Sequence, residues 1–412
     1  MKLTGFIILL ALFLIDLIEF ILNLINLRYT KQIKERPPKV ALEIYGEENF
    51  HKSCNYFIDK LKLNLVKDCI EIATFYFLFI SGIIQAILHL ITEHIGSEIL
   101  RAITIFVIWG AIFFILELPF KVYNIFNIEK RYGFSTITVG RFIKDIVLES
   151  IISLIILSIV LAVFVKLVEL TKYWWLLLTL FLILFSLFLT YIYPTVIAPL
   201  FNKFEPLKDE SLKEDIVKLA DRVNLSIDRI FVMDASKRTK HTNAYFTGIG
   251  KKKRVVLYDT LLKNHTKEEL LGILAHEIGH FKLKHIWKNF IIGNLITVVL
   301  LYIGYNLFYI EEIYKGLNFP ITISTGIFLL SIIYSPLNFI LSPFASSLSR
   351  FWEKKADLFA VNLTKDLESY KSALIKLHID NLSHPYPHPL IVKLYYTHPP
   401  LLYRIEYLNR CF

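Results

Sequence analysis

Apolar residues fall into seven runs of about 20 or more, at 4–27, 70–92, 101–120, 146–169, 173–198, 287–309 and 320–345. A helix needs about 20 such residues to cross the hydrocarbon layer, so each run predicts a membrane span. The first run is too long for a signal peptide, carries Asp16 and Glu19, and lacks a clear small-residue cleavage site, which predicts a retained span. The pattern changes between the fifth and sixth runs. The stretch 200–286 opens with "FNKFEPLKDESLKEDIVKLADRV", an amphipathic helix pattern after a proline. Then "RIFVMDAS", "NAYFTGIG" and "KKRVVLYDTLL" predict short strands, the last two joined by a Gly and Lys turn. A helix begins in "HTKEELLGILAHEIGH", where Thr266 and Glu269 form a capping box.

Composition agrees with a membrane chain. Of 412 residues, 55% are hydrophobic, and the mean hydropathy is +0.52, more than a soluble protein of this length ordinarily carries. The formal charge of +10 does not call for nucleic acid, because Lys and Arg collect in the cytoplasmic loops of multispan proteins. The loops 28–67 and 121–145, the stretch 200–286 and the tail after 346 are basic, whereas the other loops hold only Lys2, Arg101, Lys172 and Lys315. Seven spans put these two sets on opposite sides. The N-terminus is then outside or lumenal, and 200–286 lies with the C-terminus in the cytoplasm. Cys54, Cys69 and Cys411 show no pairing pattern, and Cys411 is not fourth from the end, so neither a disulfide framework nor a prenylation box is expected. Asp16, Glu19, Glu71 and Glu117 lie inside spans, where lipid exposure is costly. They are expected to face an interior cavity or to pair, with Glu71 and Glu117 also near enough to span ends to meet an interface.

The candidate chemistry sits in "LGILAHEIGHFKLKH". His276 and His280 are four residues apart, which puts both rings on one helix face. With Glu277 they form HExxH, an arrangement in which two imidazoles hold one zinc ion and a carboxylate activates water. A plainer reading is a polar helix end with solvated histidines. His285, a third histidine, lies close by. A catalytic zinc needs a third protein ligand. Glu311 and Glu312 fall on the wrong side of the membrane, so Glu353 is the first acid that qualifies. It stands in "SRFWEKKADLFAV", a helical continuation of the last span, with Asp357 one turn on. Asp357 is placed to accept the free N–H of a zinc-bound histidine. The competing reading is a charged helix surface pairing its own charges. The "NAYFTG" strand has two readings as well. It is either an exposed edge, where Asn243, Ala244 and Tyr245 bind an extended peptide, or a hairpin that only covers the helix.

Taken together, "YPTVIAPLFNKFEPL", "HTNAYFTGIG", "RVVLYDTLL", "LAHEIGHFKLKH", "FWEKKADLFAV" and "YTHPPLLYRIEYL" resemble the CAAX prenyl protease 1 family of integral-membrane zinc endopeptidases. These motifs spread over residues 190–407. The resemblance implies a mainly α fold, with a seven-span helical barrel around a water-filled chamber and a cytoplasmic α+β zincin-type catalytic domain. The expected parts are 1–199 (five spans), 200–286 (sheet and HExxH helix), 287–345 (two spans) and 346–412 (third ligand). It further implies one Zn2+ per chain, held by His276, His280 and Glu353, with Glu277 as general base. His398 would then donate to the developing oxyanion and Arg404 would pair with a substrate carboxylate. Without the resemblance, "HPP" reads as a turn and Arg404 as a surface charge.

The expected partners are the bilayer and a peptide or protein C-terminus, with no nucleic acid. The reaction the family implies is removal of the last three residues of a prenylated CAAX protein. In a host without prenylation, the same scaffold would serve as a quality-control protease on other membrane proteins. A transporter with a regulatory metal is a rival from another class, but the halves show no internal repeat. An intramembrane protease of the site-2 type fits less well, because HExxH lies before a span and not within one.

Overall fold

The structure, a computed structural model, describes residues 2–247 and 253–412. Among the described residues, five helices are long and apolar enough to cross a membrane: Leu3–Glu35, Glu98–Glu129, Val139–Leu170, Trp174–Phe201 and His285–Phe308. Two more candidates are bent pairs. Glu47–Ile80 meets Ile83–His94 at 60°, and Ile323–Tyr334 meets Leu337–Thr364 at 51°. The runs 70–92 and 320–345, expected as plain spans, therefore each contain a break. Gly82 turns the first with φ +81, a backbone that costs glycine nothing. Pro336 precedes the second segment of the other pair, and its ring removes a helix N–H.

The basic stretch 28–67, expected as a loop, is largely helical, because the first helix continues to Glu35, a short helix covers Lys39–Tyr45, and a long one begins at Glu47. Its charged residues are good helix formers, and it buries an apolar stripe including Phe50, Tyr56, Ile58, Leu61 and Leu65.

Among the described residues four strands form one sheet, in the order β1 (Phe204–Pro206), β2 (Ile227–Met233), β4 (Lys253–Tyr258), β3 (Ala244–Thr247). β1, which the sequence did not announce, pairs antiparallel with β2; β2 runs parallel to β4; and β3 closes the sheet antiparallel to β4. The expected Gly and Lys turn between β3 and β4 falls at 248–252, outside the described residues.

The HExxH helix, Lys267–Lys282, packs between the sheet and the C-terminal helices. One side joins a core with Ile216, Ala244, Val255, Leu257 and Leu261. The other places Ala275 and Ile278 against Ala360, Val361, Tyr370, Leu401 and Ile405. Each fully buried large aliphatic contributes roughly 1.5–3 kcal/mol, so the helix is held on both flanks. Small residues let it approach the helix Leu337–Thr364 closely. A Cβ on Gly279 would lie 3.3 Å from Ala356 Cα and 3.1 Å from the Phe359 ring. That contact brings Glu353, one turn before Ala356, level with the two histidines. The sheet is also tied to the spans, since Arg238 donates from Nε (2.8 Å) and Nη2 (3.0 Å) to the carboxylate of Asp145.

Candidate active site

The HExxH helix starts at the predicted capping box. Thr266 Oγ1 accepts from the Glu269 N–H and Glu269 Oε2 accepts from the Thr266 N–H. The same Glu269 accepts from Ser372 (2.6 Å) and Lys376 (2.8 Å) on the helix Leu367–Asp380. Two turns on, His276 and His280 face each other with Nε2 atoms 3.1 Å apart. Glu353 offers Oε2 to His276 and Oε1 to His280, each at 3.2 Å. The three ligand atoms lie within 4.8 Å of one another.

This donor set fits a small divalent cation. Two nitrogens each about 2.05 Å from a tetrahedral zinc would be about 3.3 Å apart, close to the observed spacing. Glu353 Oε2 is buried and, among the described residues, receives no hydrogen bond, a costly state for a carboxylate unless a cation shares the site.

The other edge of the His276 ring is fixed by a buried network. Nδ1 lies 3.0 Å from Asp357 Oδ1 and 2.9 Å from the Tyr370 hydroxyl. Tyr370 donates to Asp357 (2.8 Å), so its oxygen is free to accept the Nδ1–H. With its Nδ1 proton held by this network, the ring has Nε2 on the Glu353 side as the atom that could hold a metal. Arg404 closes the network. Its Nε donates to Asp357 Oδ2 at 2.9 Å, and its Nη2 to Asp357 Oδ1 and to Tyr370 at 3.2 Å. Burial opposes a charge on His276, but Asp357 and Glu353 outweigh it and push the ring up to about 9. The site thus attracts positive charge at neutral pH, as a metal site must. Burial also raises Glu277 above the ordinary glutamate range, partly offset by His276 and His280.

Arg404 reaches the site, but the geometry differs from the expected pairing with a substrate carboxylate. A guanidinium this buried needs an internal counter-ion, and Asp357 supplies it bidentately. Tyr370 was missed. It lies 94 residues from His276 and belongs to no motif, so nothing in local spacing could have flagged it.

A cavity of about 830 Å3 opens over these groups. Its lining includes Glu277, His276, Asn243, Ala244, His398 and Arg404. His398 stands exposed to it, with Nε2 3.4 Å from Glu353 Oε1; the surrounding protein pushes its ring down, with Glu353 offsetting part of the shift. β3 is the last strand of its sheet, beside this cavity. Asn243 O accepts from the Tyr258 N–H, and the register that follows leaves the backbone groups of Ala244 and Phe246 on the free edge. Asn243 Oδ1 covers the Ala244 N–H at 2.8 Å. The Tyr245 side chain turns to the opposite face, against Met233 and Val256, because successive strand residues alternate.

Of the acids in the spans, Asp16, Glu19 and Glu71 line a separate cavity of about 400 Å3 with Asp68, and the Tyr76 hydroxyl donates to Asp16 at 2.6 Å. Glu117 is exposed.

Apolar helices of membrane-crossing length, together with a largely buried His–His–Glu cluster, define a multi-pass membrane metallopeptidase. Residues 206–411 match the model of peptidase family M48, and residues 26–203 match the CAAX prenyl protease N-terminal model, with its five membrane helices. The chain belongs to this family. Within it, the chain is 34% identical to the CAAX prenyl protease 1 homolog of Arabidopsis thaliana over 394 residues, covering 90% of both. It is 31% identical to CAAX prenyl protease 1 of Saccharomyces cerevisiae, covering 93% of this chain and 90% of the relative. For the Homo sapiens homolog the values are 32%, 93% and 90%. The crystal structure of S. mikatae Ste24p superposes with a TM-score of 0.90 at 29% identity, covering 99% of this chain and all of that one.

Proposed function

We propose that the chain is a zinc endopeptidase that removes the C-terminal tripeptide of prenylated CAAX proteins at the cytoplasmic face of a membrane. The observation that carries this reading is the convergence of His276, His280 and Glu353 beside Glu277 in one cavity. The relatives' names supply the substrate class. The five apolar helices and two bent pairs are read as seven crossings around a chamber, with the N-terminus outside and residues 200–286 and 346–412 together on the basic, cytoplasmic side.

In this reading His276, His280 and Glu353 hold the metal. When bound, it polarises the scissile carbonyl and makes water more acidic. Glu277, whose carboxylate burial makes a stronger base than an ordinary glutamate, takes the proton of the attacking water and returns it to the leaving amine. His398, kept neutral by its surroundings, donates an N–H toward the oxygen that gains charge. The substrate backbone lies along Ala244 and Phe246, displacing Asn243 from the Ala244 N–H. Tyr245 contributes no side chain to that groove. Arg404 and Tyr370 act through Asp357 as positioning residues.

The test uses wild type, Glu277→Gln and Glu353→Ala purified in detergent. Metal content is measured alongside cleavage of a farnesylated CAAX peptide and its unprenylated counterpart. Wild type should carry one zinc and prefer the prenylated peptide. Glu277→Gln should keep zinc and lose about 100-fold or more in kcat, and Glu353→Ala should lose the metal. Equal cleavage of both peptides would favour the quality-control role. A wild type that binds no metal would overturn the reading.

A further inference from the structure

His285 takes no part in the ligand set, yet it is 2% exposed and its Nδ1 lies 3.1 Å from Nδ1 of His280. On a continuous helix this contact would not form, since residues five apart point about 140° away from each other. The chain makes it by breaking. The HExxH helix ends at Lys282, Lys284 adopts the left-handed backbone with φ +58, and a new helix starts at His285. The break brings the His285 ring to His280. Trp352 holds it there in a stack with ring planes 12° apart and centroids 5.3 Å apart. Trp352 immediately precedes Glu353, so one helix supplies both a ligand and the platform for His285.

We infer that His285 is the positioning residue for His280, accepting its Nδ1–H so that Nε2 presents a lone pair to the metal. The inference rests on the ligand assignment proposed above. Proton bookkeeping fixes the direction. If His280 ligates through Nε2, its proton is on Nδ1 and must be the donor; His285 then accepts on Nδ1 and carries its own proton on Nε2. That Nε2 is buried and has no hydrogen-bond partner among the described residues. Such an atom is costly, and its retention is accounted for by the work done at Nδ1.

The two histidine ligands are therefore supported unequally. His276 leans on a carboxylate braced by a tyrosine and an arginine, while His280 leans on a neutral imidazole. A neutral acceptor strengthens a ligand less than a carboxylate does, which makes His280 the weaker-held of the pair.

The test measures Zn2+ affinity of the full-length protein by competition with a chromophoric chelator, together with the Co2+ visible spectrum and the thermal stability of the metal-free protein. His285→Phe keeps the ring on Trp352 but removes the acceptor. It should weaken Zn2+ binding about 10–100-fold, alter the Co2+ bands, and leave metal-free stability equal or higher. His285→Asn places a carbonyl oxygen near the position of Nδ1 and should recover affinity to within a few-fold of wild type. If His285→Phe binds Zn2+ as wild type does, the positioning role is overturned. It is also overturned if metal-free stability falls while affinity stays unchanged, because the ring is then only a packing element. Wild type that takes up no Zn2+ would overturn the ligand assignment itself, a separate result.

Discussion

The smallest unit that decides this site is the Asp357–Arg404 pair. Both side chains are buried, at 0% and 6% residue exposure, and two hydrogen bonds join them. Two buried charges do not by themselves argue for stability, since desolvation offsets much of their attraction. Breaking the pair is different, because it strands one charge. Arg404→Met should therefore destabilise the fold by about 3–5 kcal/mol and, by releasing Asp357 from its place beside His276, weaken metal binding. Asp357→Asn should cost a similar amount. The double variant should recover much of the stability but not the metal affinity. Unfolding in denaturant and chelator competition on the three variants check this. Additive stability losses would mean that the pair is not coupled. HExxH was legible because i,i+4 spacing is a property of any helix. Glu353 was legible because topology removed the earlier acids. Tyr370 and the role of His285 were not, since one comes from a distant helix and the other depends on a helix break at Lys284 that the composition does not signal.

At the scale of elements, the positions of ligands are set by how closely helices approach. Gly279 and Gly293 make a paired test. Replacing a mid-helix glycine with alanine ordinarily gains about 1 kcal/mol of helix propensity. Gly293 has nothing within 4 Å of an added Cβ, so Gly293→Ala should be neutral or stabilising. At Gly279 the added methyl meets Ala356 Cα at 3.3 Å, and backbone cannot swing aside. Overpacking of about 1–3 kcal/mol then exceeds the propensity gain, and the shift pushes Glu353 away from the histidines. Gly279→Ala should lower both the melting temperature and Zn2+ affinity; a gain in either would contradict the account. The long apolar helices were readable from hydropathy alone. Their bends were not, because residues on both sides of Gly82 and Pro336 are equally apolar, and an apolar run reports length without direction.

At the scale of the whole molecule, the tail is tied to the first span through His384. Its Nδ1 accepts from the Tyr386 N–H at 3.2 Å, which places its proton on Nε2. That Nε2–H donates to Thr30 Oγ1 at 2.9 Å, and Thr30 in turn donates to the Asn26 carbonyl at 2.8 Å. The ring is neutral in the fold, and burial pushes it down to about 3. In the unfolded chain a histidine titrates near 6.5. The folded value is the lower one, so the unfolded state takes up the proton first as pH falls. The contribution of His384 is complete above about pH 6.5 and is lost progressively between about 6.5 and 3. At pH 5 the loss from this one group is about 2 kcal/mol, a shift of a few degrees in melting temperature. His384→Gln keeps an N–H toward Thr30 and cannot be protonated. Other buried histidines titrate in both proteins, so the informative quantity is the difference between them. The stability of wild type relative to His384→Gln should fall by about 2 kcal/mol from pH 7.5 to pH 5, measured by thermal unfolding in one detergent at both pH values. A constant difference would mean that His384 is as free to take a proton in the fold as out of it, and that acid weakens the joint between tail and bundle through other groups.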